Sequence, residues 1–473
     1  MNLIYLHTHD TGRCYQPYGY PVVTPGIMRL AAQSLQFNQA FCCAPTCSPS
    51  RSAMLTGITP HNCGMLGLAH RGFALSDPSR HLAAWLGAHG YETVLCGVQH
   101  EAKSARDLPY QRLLKSAPGL DSHQQCEAYD LYNAGQAESF LRETHEKPFF
   151  LSFGLRCTHR PYPAHPGDGA HIAPPHGVPS TPETRADAAD FAASIDVVDR
   201  CVTRVLDVLQ DTGLAEDTVI LFTTDHGSAF PNYKCTLLDG GIGVTLMLSV
   251  PGMARRGQVT DCLTSHLDVF PTVCDLLGVE KPAWLQGVSL LPVLAQDQPV
   301  RERVFAEVTY HAAYEPLRCV RTARYKLIRR YDTHNRVVPA NIDASPSKQT
   351  MVAAGLLEAA RPREELYDLL LDPGEHENRV NDPALRDVYA ALSTALTDWM
   401  RDTDDPLLTC GPRVPKPAGA CVNTLSAPEP DSDYWEESGG QRDVSLVPSF
   451  IFLTSNRPAG ARLQAGRLVV IWG

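Results

Sequence analysis

Three polar clusters follow closely behind apolar runs in this chain. They are His9-Asp10 after Leu3–Leu6, His159 after Phe149–Phe153, and Asp225-His226 after Thr218–Thr223. Ligands of open α/β sheets bind just past the carboxyl ends of the strands. Two strand ends that each offer adjacent donors can converge on one divalent cation, although an Asp-His pair is as often only a turn. A fourth position is Cys47, in the run Cys47-Ser48-Pro49-Ser50-Arg51. A helix beginning at that proline would bring its N-terminus, a natural anion site, beside the thiol. Arg51, one turn in, can pair with the oxygens of an anion. On the bland reading, Cys47 is one buried free thiol among 15 cysteines whose spacing shows no small-scaffold disulfide framework.

The elements that must hold these residues alternate. Leu3–Leu6, Thr93–Cys96, Phe149–Phe153 and Thr218–Thr223 read as strands. Pro25–Ser34, Ser50–Leu55, Arg80–His89 and Ala186–Leu209 read as helices. Wholly apolar strands alternating with helices imply an α/β fold, a large and mostly parallel sheet sandwiched by helices. A proline- and glycine-rich loop runs from Arg160 to Pro182, and loops of that length usually carry function. A smaller α+β domain on an antiparallel sheet is expected from Arg301. Its strands are Val304–Val308 and Tyr325–Arg329, and its closing helix is Ala384–Met400. The expected organisation is a catalytic domain at 1–300, a smaller C-terminal domain at 301–408, and an irregular tail at 409–473. That tail is either an added strand or partly non-native sequence.

Cys47-Ser48-Pro49-Ser50-Arg51 continues into Leu55-Thr56-Gly57. This C-x-P-S-R-x-x-x-L-T-G pattern resembles the signature of the sulfatases, formylglycine-dependent enzymes of the alkaline phosphatase superfamily. The resemblance implies that Cys47 is oxidised to formylglycine by a separate formylglycine-generating enzyme. One hydroxyl of the hydrated aldehyde attacks sulfur, and deprotonation of the other expels sulfate. It further implies a metal site of His9, Asp10, Asp225 and His226. His9 departs from the family, which usually ends its first strand in two aspartates. A set with two histidines moves the expectation from Ca2+ toward Mn2+ or Zn2+. Gly97-Val98-Gln99-His100 resembles the family's Gly-Lys-x-His, so His100 matches the base that deprotonates the second hydroxyl. The sulfate-holding lysine is Val98 here. Cys157-Thr158-His159-Arg160-Pro161 resembles Pro-His-x-Pro, which makes His159 the leaving-group acid. Lys234, nine residues beyond Asp225, matches a basic residue that neutralises sulfate.

Glu307-Val308-Thr309-Tyr310-His311 and the stretch to Lys326 resemble the subgroup related to heparan N-sulfatase. Glu365-Leu366-Tyr367-Asp368 resembles the sulfatase C-terminal motif. Glu307 and His311 are the expected substrate-binding residues of the second domain. The implied substrate is a sulfate ester or sulfamate of a small molecule or saccharide. One alternative is phosphonate monoester or phosphodiester hydrolysis with the same nucleophile. Another is a non-catalytic binding protein of sulfatase fold.

The bulk composition is ordinary for a globular protein and argues against wholesale disorder. Of 473 residues, 44% are hydrophobic and 20% charged, and the formal net charge is −11. Such an acidic surface excludes nucleic acid and anionic membranes as general partners, so an anionic substrate must meet a local basic pocket. No apolar run reaches the length of a membrane span. The opening Met1-Asn2-Leu3-Ile4-Tyr5-Leu6 enters a strand without a signal-peptide pattern. A cytoplasmic location is expected if that start is native, and a homo-oligomer is compatible with everything above.

Overall fold

Alternation of buried side chains along the central strands determines the architecture of the computed structural model, which describes residues 1–115, 119–120 and 125–429. The first strand, β1 (Asn2–Thr8), is buried throughout. Leu3 and Tyr5 face one hydrophobic cluster, while Ile4 and Leu6 face another. A strand that is apolar on both faces must be covered on both faces.

In chain order the strands are β1, β2 (Leu35–Phe37), β3 (Ala40–Phe41), β4 (Glu92–Gly97), β5 (Arg112–Leu113), β6 (Phe149–Gly154) and β7 (Thr218–Thr224). They continue with β8 (Leu246–Ser249), β9 (Gln258–Thr260), β10 (Thr264–Ser265), β11 (Arg303–Tyr310), β12 (Tyr314–Thr322), β13 (Tyr325–Arg330) and β14 (Glu364–Asp368). Eight form one sheet in the order β5-β4-β6-β1-β7-β8-β2-β9. Its pairings are parallel except for those of β8, which runs antiparallel to β7 and β2. The mostly parallel sheet between helices is therefore as expected. β3 pairs with β10 in a short two-stranded piece.

The second sheet is antiparallel, in the order β11-β12-β13-β14. Alternation splits its residues too. Ala306, Cys319 and Ile328 join the same core as Leu221 and Leu246 of the large sheet. Val320, Leu327 and Leu366 turn the other way and pack on Leu392, Leu396 and Met400 of the Arg386–Asp402 helix. The described residues of both sheets thus form one compact unit, continuous through the expected boundary near residue 300. The shared core is the reason. Between Thr409 and Glu429 the chain is irregular after the short Pro406–Thr409 helix. The remainder of the expected tail lies outside the described residues. No described helix is long and apolar enough to cross a membrane.

The Cys126–Leu141 helix was not expected. It packs against the long Pro182–Thr212 helix and buries polar Asp130 and Asn133 beside its alanines, so its sequence carries no amphipathic stripe. The helix expected at Ser50–Leu55 begins instead at Cys47 and runs to Thr56. Pro49 is its third residue, inside the first turn, where a missing N–H removes no intrahelical bond.

Candidate active site

Parallel pairing brings three strand ends into line. His7 pairs with Gly154 on one side of β1 and Thr223 on the other. His9 and Asp10, His159, and Asp225 and His226 therefore emerge at the same edge. The Cys47–Thr56 helix closes over that edge with all ten residues buried. Ser50 Oγ donates to the Asp225 carbonyl at 2.6 Å, and Ser48 Oγ accepts from Ala69 N at 3.0 Å. Both serines of the motif thus lock the helix in place. Next to His226, Gly227 admits no side chain, since a Cβ there would fall 1.8 Å from the Gly240 carbonyl oxygen.

One donor atom each from His9, Asp10, Cys47 and Asp225 lies within 4.8 Å of the others. Cys47 Sγ is 3.8 Å from Asp10 Oδ1 and 3.3 Å from His226 Nε2. His226 Nε2 is also 3.3 Å from Asp10 Oδ1. Its Nδ1 faces the Gly227 carbonyl at 2.9 Å. A proton held there leaves the Nε2 lone pair directed into the cluster, an arrangement common among metal-ligating histidines. His9 is fully buried. Neither of its ring nitrogens makes a hydrogen bond among the described residues, although Nδ1 lies 3.2 Å from Asp225 Oδ2. A buried imidazole in that state is costly unless it binds something. Two buried carboxylates, the His226 imidazole with its inward lone pair and the unsatisfied His9 ring together fit a divalent cation.

The cations of the site are also placed. Arg51 Nε and Nη2 reach Asp225 Oδ2 at 3.1 and 3.0 Å, and Nη2 donates to the Thr8 carbonyl at 2.8 Å. Its Nη1 meets His7 Nδ1. Lys234 Nζ lies 2.8 Å from Asp10 Oδ2 and 3.0 Å from Asp343 Oδ2. Burial alone would depress the Lys234 ammonium. Asp10 and Asp343 outweigh it and hold the group well above the ordinary lysine range. His159 Nε2 stands 3.9 Å from Asp10 Oδ2, with Nδ1 on the Arg160 carbonyl at 2.6 Å. His100 packs edge-on to His9, ring centroids 4.7 Å apart. Burial, reinforced by neighbouring Arg51 for His9, by His9 for His100 and by Arg156 for His159, keeps all three imidazoles well below the usual histidine value. Burial likewise pushes the Cys47 thiol well up, against the pull of Lys234. The group therefore stays a protonated thiol, which is a poor nucleophile.

All nine residues expected at the catalytic and metal centre are thus brought together. Of the two expected from the second domain, Glu307 is not. Glu307 is buried in an ion network of its own. Its Oε1 accepts His61 N at 2.9 Å, and its Oε2 faces His61 Nδ1 at 2.8 Å and Arg318 Nη2 at 3.1 Å. With both oxygens engaged inside the protein, it is a packing residue and not a sugar contact. His311 is buried just past β11. Val98 packs on Tyr129. Gln99 cannot replace the lysine, because its amide is spent on Glu101 N, Ala102 N and the Ala102 carbonyl.

Asp343 and His7 were missed. Asp343 lies in Asn341-Ile342-Asp343, which carries no motif, and its role follows only from packing of that loop on Lys234. His7 belonged to the polar end of the first strand, and its pairing with Arg51 has no sequence signal. Lys234 also lines a cavity with Asn232, Glu315, Arg330, Asn341 and Arg361, between the turn at 232–238 and the small sheet.

A family model described as sulfatase matches residues 2–279. The chain belongs to the sulfatase family, the sulfuric ester hydrolases. A second model, N-sulphoglucosamine sulphohydrolase, C-terminal, matches residues 232–352 and so spans both Lys234 and Asp343. Human N-sulphoglucosamine sulphohydrolase is 29% identical over 451 residues, covering 83% of this chain and 88% of that protein. An ulvan-active sulfatase of Formosa agariphila is 28% identical over 404 residues, covering 83% and 78%. Among solved structures, a 2-O GAG sulfatase superposes with a TM-score of 0.69 at 21% identity, covering 91% of this chain and 98% of that one. That likeness is one of fold.

Proposed function

We propose that this sulfatase hydrolyses a sulfate ester or sulfamate of a saccharide, with formylglycine at position 47 and one divalent cation held by His9, Asp10, Asp225 and His226. The observation that carries this reading is the convergence of Cys47, Arg51 and Lys234 on two buried carboxylates and the unsatisfied imidazole of His9. The saccharide is supported by the relatives, one named for N-sulphoglucosamine and one for ulvan. The cavity beside Lys234 offers a place for the sugar next to the sulfate.

Oxidised residue 47 supplies, as its hydrate, one hydroxyl to attack sulfur with loss of the alcohol, and a second whose deprotonation releases sulfate and restores the aldehyde. A divalent cation held by His9, Asp10, Asp225 and His226 would polarise that group and offset sulfate charge. Lys234 stays protonated and faces the sulfate oxygens. Arg51 fixes Asp225 and adds positive charge at the helix start. His100, neutral and beside His9, takes the proton of the second hydroxyl. His159 holds its Nδ1 against the Arg160 carbonyl, so it takes and passes the leaving-group proton at Nε2.

The test combines two measurements. Peptide mass analysis of protein from its own host should show residue 47 as the aldehyde. A panel of N-sulfated saccharides, O-sulfated saccharides and phosphodiesters should give turnover on sulfated saccharides above the rest. An intact thiol at residue 47 with full turnover, or phosphodiester turnover far above sulfate, would overturn the reading. Chelation followed by single-metal restoration identifies the cation. Restoration by Mn2+ or Zn2+ with loss of metal in His9→Ala supports a four-residue site. Restoration by Ca2+ with His9→Ala unaffected removes His9 from it.

A further inference from the structure

A substrate has to reach a cluster whose inner side chains are sealed. Those of His9, Asp10, Asp225 and His226 are fully buried, and Lys234 leaves only 4% of its side chain in solvent. Two side chains beside this core are open. His159, 15% exposed, stands by Asp10 Oδ2. Asp343, 20% exposed, lies 3.0 Å from Lys234 Nζ, which is itself 2.8 Å from the same Asp10 oxygen. His159 and Asp343 therefore mark the opening through which solvent approaches Asp10 and Cys47.

The chain fixes Asp343 there from both sides. Before it, Asn341 Oδ1 accepts from Ala313 N at 2.8 Å, and Asn341 Nδ2 donates to Glu315 Oε2 at 3.0 Å. After it, Ser345 Oγ accepts from Lys348 N at 3.0 Å and starts the Pro346–Ala353 helix. Ser347 Oγ ties that helix to Asp187 Oδ2 of the Pro182–Thr212 helix at 2.5 Å. Lys348 Nζ donates to the Ile342 carbonyl at 2.9 Å. Asn341 and Ile342 also line the cavity beside Lys234. Asp343 thus stands where that cavity, the Lys234 ammonium and the opening meet.

Its carboxylate is only partly used. The direct polar contact is with Lys234 through Oδ2, an oxygen with no other hydrogen bond among the described residues. Burial would raise the carboxyl, but Lys234 outweighs it and holds the group below its ordinary value. An ionised carboxylate can only accept. A sulfate ester arriving at Lys234 has to share the ammonium with this second anion, and like charges repel strongly in a dry pocket. A hydrogen-bond donor on the substrate, facing Asp343, offsets that repulsion. A second anionic group in the same place deepens it. Specificity of this kind rejects wrong ligands by an unpaired charge as much as it welcomes the right one.

We propose that Asp343 is a specificity-determining residue that touches the substrate: its carboxylate accepts a hydrogen bond from a hydroxyl or N–H on the carbon next to the sulfated position, and it turns away saccharides that carry a second sulfate or a carboxylate there. The proposal rests on the sulfatase reading of the Cys47 site. The class of substrate it implies is a saccharide with a free donor beside the scissile sulfate.

The probes are the sulfated saccharide that the metal-loaded wild-type enzyme turns over fastest, and derivatives in which each neighbouring hydroxyl is in turn removed or sulfated. At one position, removal should lower kcat/KM about tenfold or more, and sulfation about a hundredfold or more. Asp343→Asn keeps the shape and removes the charge. It should lower kcat/KM on the parent saccharide about fivefold, through KM, and should not slow the derivative that lacks the hydroxyl. It should speed the neighbouring disulfate about tenfold. An equal fall on the parent and both derivatives would show that Asp343 acts only through Lys234, and would overturn the proposal while leaving the sulfatase reading intact. The wild-type profile decides even if Asp343→Asn does not fold, because a neighbouring sulfate tolerated at every position would overturn the proposal too. No turnover of any sulfated saccharide by the wild-type enzyme would overturn both.

Discussion

Two of the buried charge clusters among the described residues differ in how completely they satisfy themselves. In the first, Glu307 meets His61 and Arg318. Arg318 Nε reaches Asp405 Oδ2 at 2.5 Å, and its Nη1 donates to the Val308 carbonyl at 2.8 Å. Asp405 in turn accepts Leu407 N at the start of the Pro406–Thr409 helix, and His61 Nε2 faces the Thr403 carbonyl at 3.1 Å. Every charged group there has a partner, and three parts of the chain are tied together. In the second, around Cys47, two carboxylates lie against each other's partners. His9 has no hydrogen bond among the described residues, and the only nucleophile is a thiol that burial keeps protonated. Both clusters could hold a metal by donor type and distance alone. A closed network stabilises a fold, whereas an open one of equal burial persists because something else completes it.

The sharpest way to break this contrast is to remove one residue from each. Cys47→Ala should abolish turnover and leave the melting temperature within a few degrees, because a small side chain is lost and no charge is unpaired. Lys234→Ala should retain weak turnover, lower by about two orders of magnitude, as expected for loss of one charge-assisted contact to a transition state. Turnover within a factor of two of wild type in either variant, on protein shown to be folded, would place catalysis elsewhere.

The Cys47 half of this comparison was legible in the sequence as a cluster, because its pattern is local. Cys47 to Gly57 is an uninterrupted motif, and His9-Asp10 and Asp225-His226 sit next to apolar runs whose alternating partners had to form a parallel sheet. Strand ends in such a sheet share one edge, so the residues behind them had to meet. The structural half was not legible. Glu307 occupied a strand next to His311, and nothing in that strand announced His61 or Asp405, about 246 and 98 positions away. The Cys126–Leu141 helix escaped for a related reason. It is wedged between the large sheet and another helix, buries Asp130 as well as alanines, and so lacks the one-sided pattern from which helices are read. The domain boundary near residue 300 was drawn where a new sheet begins, yet one face of that sheet completes the core of the first.

The next prediction tests the closed cluster. Glu307→Ala leaves Arg318 buried beside Asp405 and strips the partner from His61. Breaking a buried ion network by removing one member typically costs about 3–5 kcal/mol. Denaturant unfolding should show that loss. The folded variant should keep its KM for substrate, since Glu307 does not reach the Cys47 cluster. A large KM change with unchanged stability would return Glu307 to the substrate site.

The smallest effect concerns acid. Burial raises the Glu307 carboxyl, but His61 and then Arg318 overcome it and hold the group at about 2, below its ordinary 4.5. A carboxylate whose folded value is depressed binds fewer protons in the native state than in the unfolded one. Its contribution is therefore fully present above about pH 4.5 and is lost as pH falls toward 2. At 1.36 kcal/mol per unit this amounts to roughly 3 kcal/mol. Glu307→Gln keeps the shape and removes the titration. The difference in unfolding free energy between wild type and Glu307→Gln should be largest near pH 6 and should shrink steadily as pH falls from 4.5 to 2. A difference that stays constant across that window would show that Glu307 does not carry its charge into the folded state, and the closed cluster would lose the ion pair on which the contrast with the Cys47 site depends.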